Sequence, residues 1–206
     1  MFTIGIDEVG RGSLAGPVTV AAVMLPCGFR RFHTALGELR DSKRLTPKQR
    51  EAWYRHLRAG GAVVLAVAHV RPATVDRINI SRAANRAALR ACRRLLRVNR
   101  IARRNIRIYL DGGLFLGDGH CAEEYRRFAV QTVVKGDERF AAVAAASVVA
   151  KVRRDRLMTR LACRHPEYGF EVHKGYGTRR HFRALRRLGP SPAHRLTFLK
   201  KYHTMK

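Results

Sequence analysis

The sequence predicts an α/β domain, a β-sheet sandwiched between helices. Three observations predict it. Short apolar, β-prone runs alternate with longer segments of helical periodicity. Hydrophobic residues make up 46% of the 206, enough to bury a sizeable core without disulfide or metal staples. Apolar content is periodic and well distributed, which excludes intrinsic disorder. Neither an internal repeat nor a Pro/Gly/Ser linker divides the chain, so one domain over residues 1–206 is expected.

The elements follow in order. Residues 2–7 form a first strand running into Gly-rich sequence, and VTVAAVML (18–25) reads as a buried strand. Thr46 and Pro47 open a helix, with Thr46 as N-cap and Pro47 at the first helical position. AVVLAVAHV (62–70) reads as another buried strand, and 107–111 and 129–135 as two more. Helices are expected at about 81–103, 138–164 and 178–188. In the first of these, Arg82, Arg86, Arg90, Arg93, Arg97 and Arg100 fall within about 80° of one another at about 100° per residue. Ala84, Ala87, Ala88, Ala91, Cys92 and Leu95 lie opposite. One face is therefore apolar and the other an arginine ridge, and no acid occurs from Arg77 to Leu110.

Charge narrows the function. Lys and Arg number 42 against 15 Asp and Glu, a net charge of +27. That excess is unlike a typical small-molecule enzyme and points to a polyanionic partner, nucleic acid or an anionic membrane surface. The membrane is disfavoured, because the longest apolar run (141–150) stops at Lys151 and a spanning helix needs about 20 residues. Asp7 and Glu8, without a basic flank, exclude a signal peptide at the N-terminus. Four cysteines (Cys27, Cys92, Cys121, Cys163) form no C-x-x-C pair, so reduced thiols in a cytoplasmic protein are expected. The nine histidines show no metal-ligand spacing.

With acids so scarce, their placement is informative. Asp7 and Glu8 end the first strand, Asp111 ends a strand in IYLDGG, and Asp137 follows one in VVKGDERF. Strand ends are where open α/β sheets bind ligands. Carboxylates gathered there repel unless they hold hard divalent cations, magnesium or manganese. Two such ions can activate a water and stabilise the leaving oxygen in phosphodiester cleavage. Adjacent strand residues point to opposite faces, so a turn at Gly10 and Gly12 is expected to bring Asp7 and Glu8 inward together. These features indicate a metal-dependent nuclease or polynucleotide transferase.

GIDEVGRGSLAGPV (5–18) resembles the signature of type 2 ribonucleases H, specifically ribonuclease HII. The resemblance continues at DSKRL (41–45), YLDGG (109–113), VVKGD (133–137), ASVVAKVRRD (146–155), YGFEVHKGYGT (168–178) and HRLTF (194–198). It implies a ribonuclease-H-like α/β fold with a mixed central sheet and a helical C-terminal part, about 165–206. It implies endonucleolytic cleavage of the RNA strand of RNA–DNA hybrids and incision 5′ of ribonucleotides embedded in duplex DNA, leaving 3′-hydroxyl and 5′-phosphate ends. Asp7, Glu8, Asp111 and Asp137 match the family's catalytic metal ligands, for one or two Mn2+ or Mg2+ ions. Gly10, Arg11 and Gly12 match the loop that senses the ribose 2′-hydroxyl, which distinguishes RNA from DNA. Tyr176 matches the tyrosine that packs at the RNA–DNA junction. Lys43, Lys151, His173 and Lys174 are expected as phosphate or scaffold contacts in substrate binding.

Departures from the family pattern are small: Val9, Ser13 and Gly113 stand where other residues are common. The net charge is the larger departure. Three alternatives remain at this level. Ribonuclease HIII usually carries Thr in place of Arg11 and an added N-terminal domain. An integrase-like strand-transfer enzyme leaves the Gly-Arg-Gly loop unexplained, and a non-catalytic basic binder leaves the four acids unexplained. No obligate protein partner is inferred, and a monomer is expected.

Overall fold

The structure, a computed structural model, describes residues 1–33, 35–40, 42–98, 106–117, 123–126 and 128–203. Its core is a five-stranded mixed sheet. The strands are β1 (Phe2–Val9), β2 (Val18–Pro26), β5 (Val64–Val70), β6 (Ile106–Asp111) and β7 (Ala129–Val133), in the order β5-β2-β1-β6-β7. β1 pairs antiparallel with β2 and parallel with β6; β2 pairs antiparallel with β5, and β6 parallel with β7. A two-stranded ribbon, β3 (Phe32–His33) and β4 (Gly37–Glu38), leads to a single 3-10 turn, Ser42–Arg44.

The helices are α1 (Pro47–Ala59), α2 (Pro72–Ile78), α3 (Ile80–Val98), α4 (Gly136–Arg139), α5 (Ala141–Arg164), α6 (Phe170–His173), α7 (Arg179–Leu188) and α8 (Leu196–His203). α3 covers one face of the sheet. Its Ala84, Ala87, Ala88, Ala91, Cys92 and Leu95 are fully buried against Ile4, Ile6, Val20 and Ile108. Arg82, Arg86, Arg90, Arg93 and Arg97 are exposed, as the periodicity predicts; Arg100 and the rest of the predicted helix to 103 lie outside the described residues. α1 and α5 cover the other face. α1 starts where the sequence places it, with Gln49 N–H donating to Thr46 Oγ1 (3.2 Å) and Thr46 N–H to Gln49 Oε1 (2.9 Å). A third cluster around Tyr168, Phe170, Met158 and Ala184 packs the C-terminal helices onto the far half of α5.

Four expectations shift. β5 is an edge strand, so Val64–Val67 are half-buried rather than buried. The strand predicted at 129–135 stops at Val133, because Lys135 turns into the left-handed region (φ 54°) ahead of α4. The helix predicted at 138–164 breaks at Phe140, which is extended and stacks on Tyr109 with ring centroids 3.8 Å apart. α2 is additional, whereas α8 falls in the expected helical C-terminal part; Asp76 of α2 accepts from the first α8 amides, Leu196 (2.8 Å) and Thr197 (3.0 Å).

Ala141, Ala142, Ala144, Ala145 and Ala146 let the α5 backbone lie directly on β1. A Cβ at Gly5 would sit 2.0 Å from the Ala142 carbonyl carbon, so strand and helix approach as closely as backbones can. Gly5→Ala is expected to cost roughly 3 kcal/mol, the upper range for overpacking. Thermal denaturation checks this; a melting temperature within about 1 °C of wild type would contradict it.

Candidate active site

Parallel pairing of Ile6 with Leu110 sets Asp7 beside Asp111 at the C-terminal rim of β1 and β6, on the face that carries α5. The predicted turn does not bring Glu8 to the same face. The chain stays extended through Val9, with Glu8 opposite Val20, so regular strand geometry sends Asp7 toward α5 and Glu8 toward α3. The carboxylates nonetheless feel one another. Burial holds the Asp7 carboxyl well above its usual range, and the charges of Glu8 and Asp111 push it further. Opposing this are a hydrogen bond from the Ser147 hydroxyl and one from the Glu8 N–H (2.7 Å). Ser147 also bonds the Ser42 hydroxyl at 2.9 Å. Burial raises Glu8 too, with Asp111 adding to it and the Arg11 guanidinium (3.3 Å) opposing it. Glu8 Oε2 is buried with no hydrogen-bond partner.

Asp137 arrives from the other side. Gly136 N–H donates to Asp111 Oδ1 at 2.7 Å and latches the start of α4 to the end of β6. Asp137 Oδ1 accepts from the Glu138 amide at 3.0 Å, while Arg31 grips the carbonyls of Asp137 (2.9 Å) and Glu138 (2.7 Å). The charges raising Asp7 are those of Glu8 and Asp111; Asp137 is not among them. Among the described residues no three His, Cys, Asp or Glu side chains form a closed metal cage. Of the other acids near these motifs, Glu138 follows Asp137 in α4, and Asp41 and Asp118 lie outside the described residues.

The loop after β1 is held from beneath by two buried arginines. Arg154 of α5 donates to Ser13 Oγ (2.8 Å) and to the carbonyls of Lys174 (2.9 Å), Pro17 (3.2 Å) and Ala15 (3.2 Å). Arg195 donates to the carbonyls of Arg11 (2.9 Å) and Gly16 (2.9 and 3.1 Å). Both side chains are fully buried, and burial lowers both, Arg195 to about 9. Gly10 has φ +83°, and a Cβ there would lie 2.1 Å from Arg154 Nε. Gly12 differs: it is exposed, and a Cβ would meet nothing in the protein. The same loop bonds the Tyr176 segment, with Leu14 N–H donating to the Gly175 carbonyl at 2.8 Å. Tyr176 is 37% exposed, its ring 5.5 Å from the Arg154 guanidinium carbon.

The glycine loop that follows the Asp7 and Glu8 carboxylates is thus tied to the segment of the exposed tyrosine. The ribonuclease HII family profile matches residues 4–204. The chain belongs to the ribonuclease HII family. Its members are ribonucleases H, endonucleases that cleave RNA in RNA–DNA hybrids. Ribonuclease HII of Pelodictyon phaeoclathratiforme is 42% identical over 194 residues, covering 94% of this chain and 87% of that relative. The Chlorobium luteolum enzyme is 45% identical over 194 residues, covering 94% and 86%. Among solved structures, ribonuclease HII in its complex with PCNA from Archaeoglobus fulgidus superposes with a TM-score of 0.70 at 26% identity, over 95% of this chain and 94% of that one. The mixed sheet and flanking helices agree with the fold expected from the resemblance.

Within this ribonuclease HII scaffold the expected phosphate contacts stand differently. Lys43 is exposed on the 3-10 turn. Lys151 is half-buried and paired with Asp155 at 2.7 Å, and Lys174 Nζ donates to Thr159 Oγ1 at 3.2 Å. His173 is buried: its Nδ1 accepts from Gly175 N–H (3.2 Å), so its Nε2 donates to the Tyr168 carbonyl (2.8 Å). Its ring has no nitrogen left for a phosphate, which makes it scaffold.

A histidine pair supports Tyr176. Ser191 N–H donates to His194 Nδ1 (2.9 Å), which places the proton of His194 on Nε2. That proton faces His181 Nε2 at 3.0 Å, and His181 Nδ1–H donates to the Tyr176 carbonyl at 2.9 Å. The chain requires both rings neutral. Burial, more than the neighbouring imidazoles, lowers both to about 4, against an ordinary value near 6.5. A lowered histidine adds stability that is complete above about pH 6.5 and is lost as pH falls toward 4. Each ring contributes up to one proton taken up on unfolding, about 1.4 kcal/mol per pH unit. Stability measured from pH 7 to 4 is expected to fall less steeply in His181→Gln than in wild type. Equal slopes would mean that His181 titrates as it does in the unfolded chain.

Proposed function

We propose that this ribonuclease HII incises 5′ of ribonucleotides embedded in duplex DNA as well as cleaving RNA–DNA hybrids, leaving 3′-hydroxyl and 5′-phosphate ends. The observation carrying this reading is the joint anchoring of the glycine loop and the Tyr176 segment by Arg154 beside the carboxylate rim. Asp7, Glu8, Asp111 and Asp137 would hold magnesium or manganese. The fit rests on their chemistry: hard oxygen donors, an orphaned buried oxygen on Glu8, and an Asp7 held up by burial and by the charges of Glu8 and Asp111. When bound, such an ion supplies a Lewis acid at the scissile phosphate and lowers the pKa of a water.

The chain's own residues set selectivity. Gly12 leaves the backbone open for close approach, and Arg195 fixes the neighbouring Arg11 carbonyl, so backbone groups read the 2′-hydroxyl. The Tyr176 ring packs on the adjoining deoxyribose. Tyr176→Ala is expected to lower incision at a single ribonucleotide roughly tenfold, a loss of the order of one stacking contact, with plain-DNA affinity little changed. Parallel incision and anisotropy assays test this. An equal loss in both would assign Tyr176 to general packing.

A further inference from the structure

The edge position of β5 creates a feature that catalysis does not use. A cleft of about 560 Å3 runs along Leu65–Val67, floored by Tyr54 and Val149 and lined by Arg58, Arg94, Arg97 and Arg153. A second cleft of about 500 Å3, lined by Arg156, Thr159 and Arg160, meets it at Arg153. Six arginines from α1, α3 and α5 therefore converge on one groove, and all six are exposed. Glu51 offsets Arg156, and Arg58 and Arg156 lie over the Tyr54 ring at 5.9 and 4.8 Å. Arg94 and Arg153 meet neutral oxygens: Arg94 donates to the Val67 carbonyl (3.0 Å) and Arg153 to the Tyr54 hydroxyl (3.3 Å). The field is felt at His69 of β5, which burial foremost, and then Arg153, Arg160 and Arg94, hold below its usual range.

Guarding the sheet edge against another strand would need fewer charges. Guanidinium groups on both walls of an open groove suit a chain of phosphates. Val67 pairs with Ala21, which pairs with Asp7, so the groove lies two strand spacings, about 10 Å, from the carboxylate rim.

We propose that this groove is a second docking site for duplex DNA, gripping the phosphodiester backbone without regard to sequence or sugar, outside the segment being cleaved. The proposal rests on the substrate class given above.

The test is binding of an all-DNA duplex, by fluorescence anisotropy across a salt series. One variant carries Gln in place of Arg58, Arg94, Arg97 and Arg153. A charge-matched variant carries Gln in place of Arg30, Lys48, Arg126 and Arg164, exposed cations elsewhere. The slope of log affinity against log salt is expected to fall by about 3 to 4 in the groove variant and by less than about 1 in the matched one. Lys at the same four groove positions should restore most of the slope, which separates lost charge from lost folding. An unchanged slope in the groove variant would overturn the proposal, and so would equal losses in both Gln variants, since net charge alone would then account for binding. Wild-type incision of a ribonucleotide-containing duplex is read in parallel; its failure would sink the catalytic reading without moving the salt slopes.

Discussion

Asp111→Asn is expected to lower cleavage by about 10³-fold or more while leaving duplex affinity within about twofold. The substitution keeps shape and an oxygen that can accept from Gly136, so the latch between β6 and α4 survives. It removes one of the two charges that, after burial, raise Asp7, and with it a ligand charge for the cation. Metal assistance is worth several kcal/mol in phosphoryl chemistry, and each 1.4 kcal/mol is about tenfold in rate. Binding rests on arginines and lysines elsewhere, so anisotropy should hardly change. Steady-state cleavage with both assays on one preparation decides it. Activity near wild type would remove Asp111 from the site.

Arg154→Met is expected to cost roughly 3–5 kcal/mol of stability, since it strips donors from three buried carbonyls and the Ser13 hydroxyl at once. At about 2–4 °C per kcal/mol for a chain of this size, the melting temperature should drop by about 10 °C. Incision should fall further than stability explains, because the same guanidinium packs under Gly10, holds the Lys174 carbonyl and lies by the Tyr176 ring. Arg154→Lys should recover little, as one ammonium cannot span four acceptors. Calorimetry and incision at a temperature where both proteins are folded separate the effects. A drop under about 2 °C would mean that water replaces the guanidinium.

Much of this was legible in the sequence, for local reasons. Thr46 and Pro47 spell the start of α1, and the alanines and arginines of α3 sort by angle alone. The acids stood out because a chain of net charge +27 has few to spare. What stayed hidden depends on three-dimensional neighbours. Nothing in a chain with 42 Lys and Arg marks Arg154 and Arg195 as the pair that goes inside; only the carbonyls of the loop they support do so. The apolar run before Val70 could not reveal that β5 is an edge strand among the described residues. Nor could periodicity show that Asp7 and Glu8 keep strand geometry and still meet electrostatically at the sheet rim.

The most direct test is incision of a labelled DNA duplex carrying one ribonucleotide, beside an all-DNA control, at about 0.15 M salt, near physiological ionic strength. Magnesium, manganese and chelator are compared, and the product ends are mapped. Cutting 5′ of the ribonucleotide with either ion, abolished by chelator and absent from the control, is the predicted result. Tight binding without cutting under any condition, or cutting that survives chelator, would contradict the assignment of the four carboxylates.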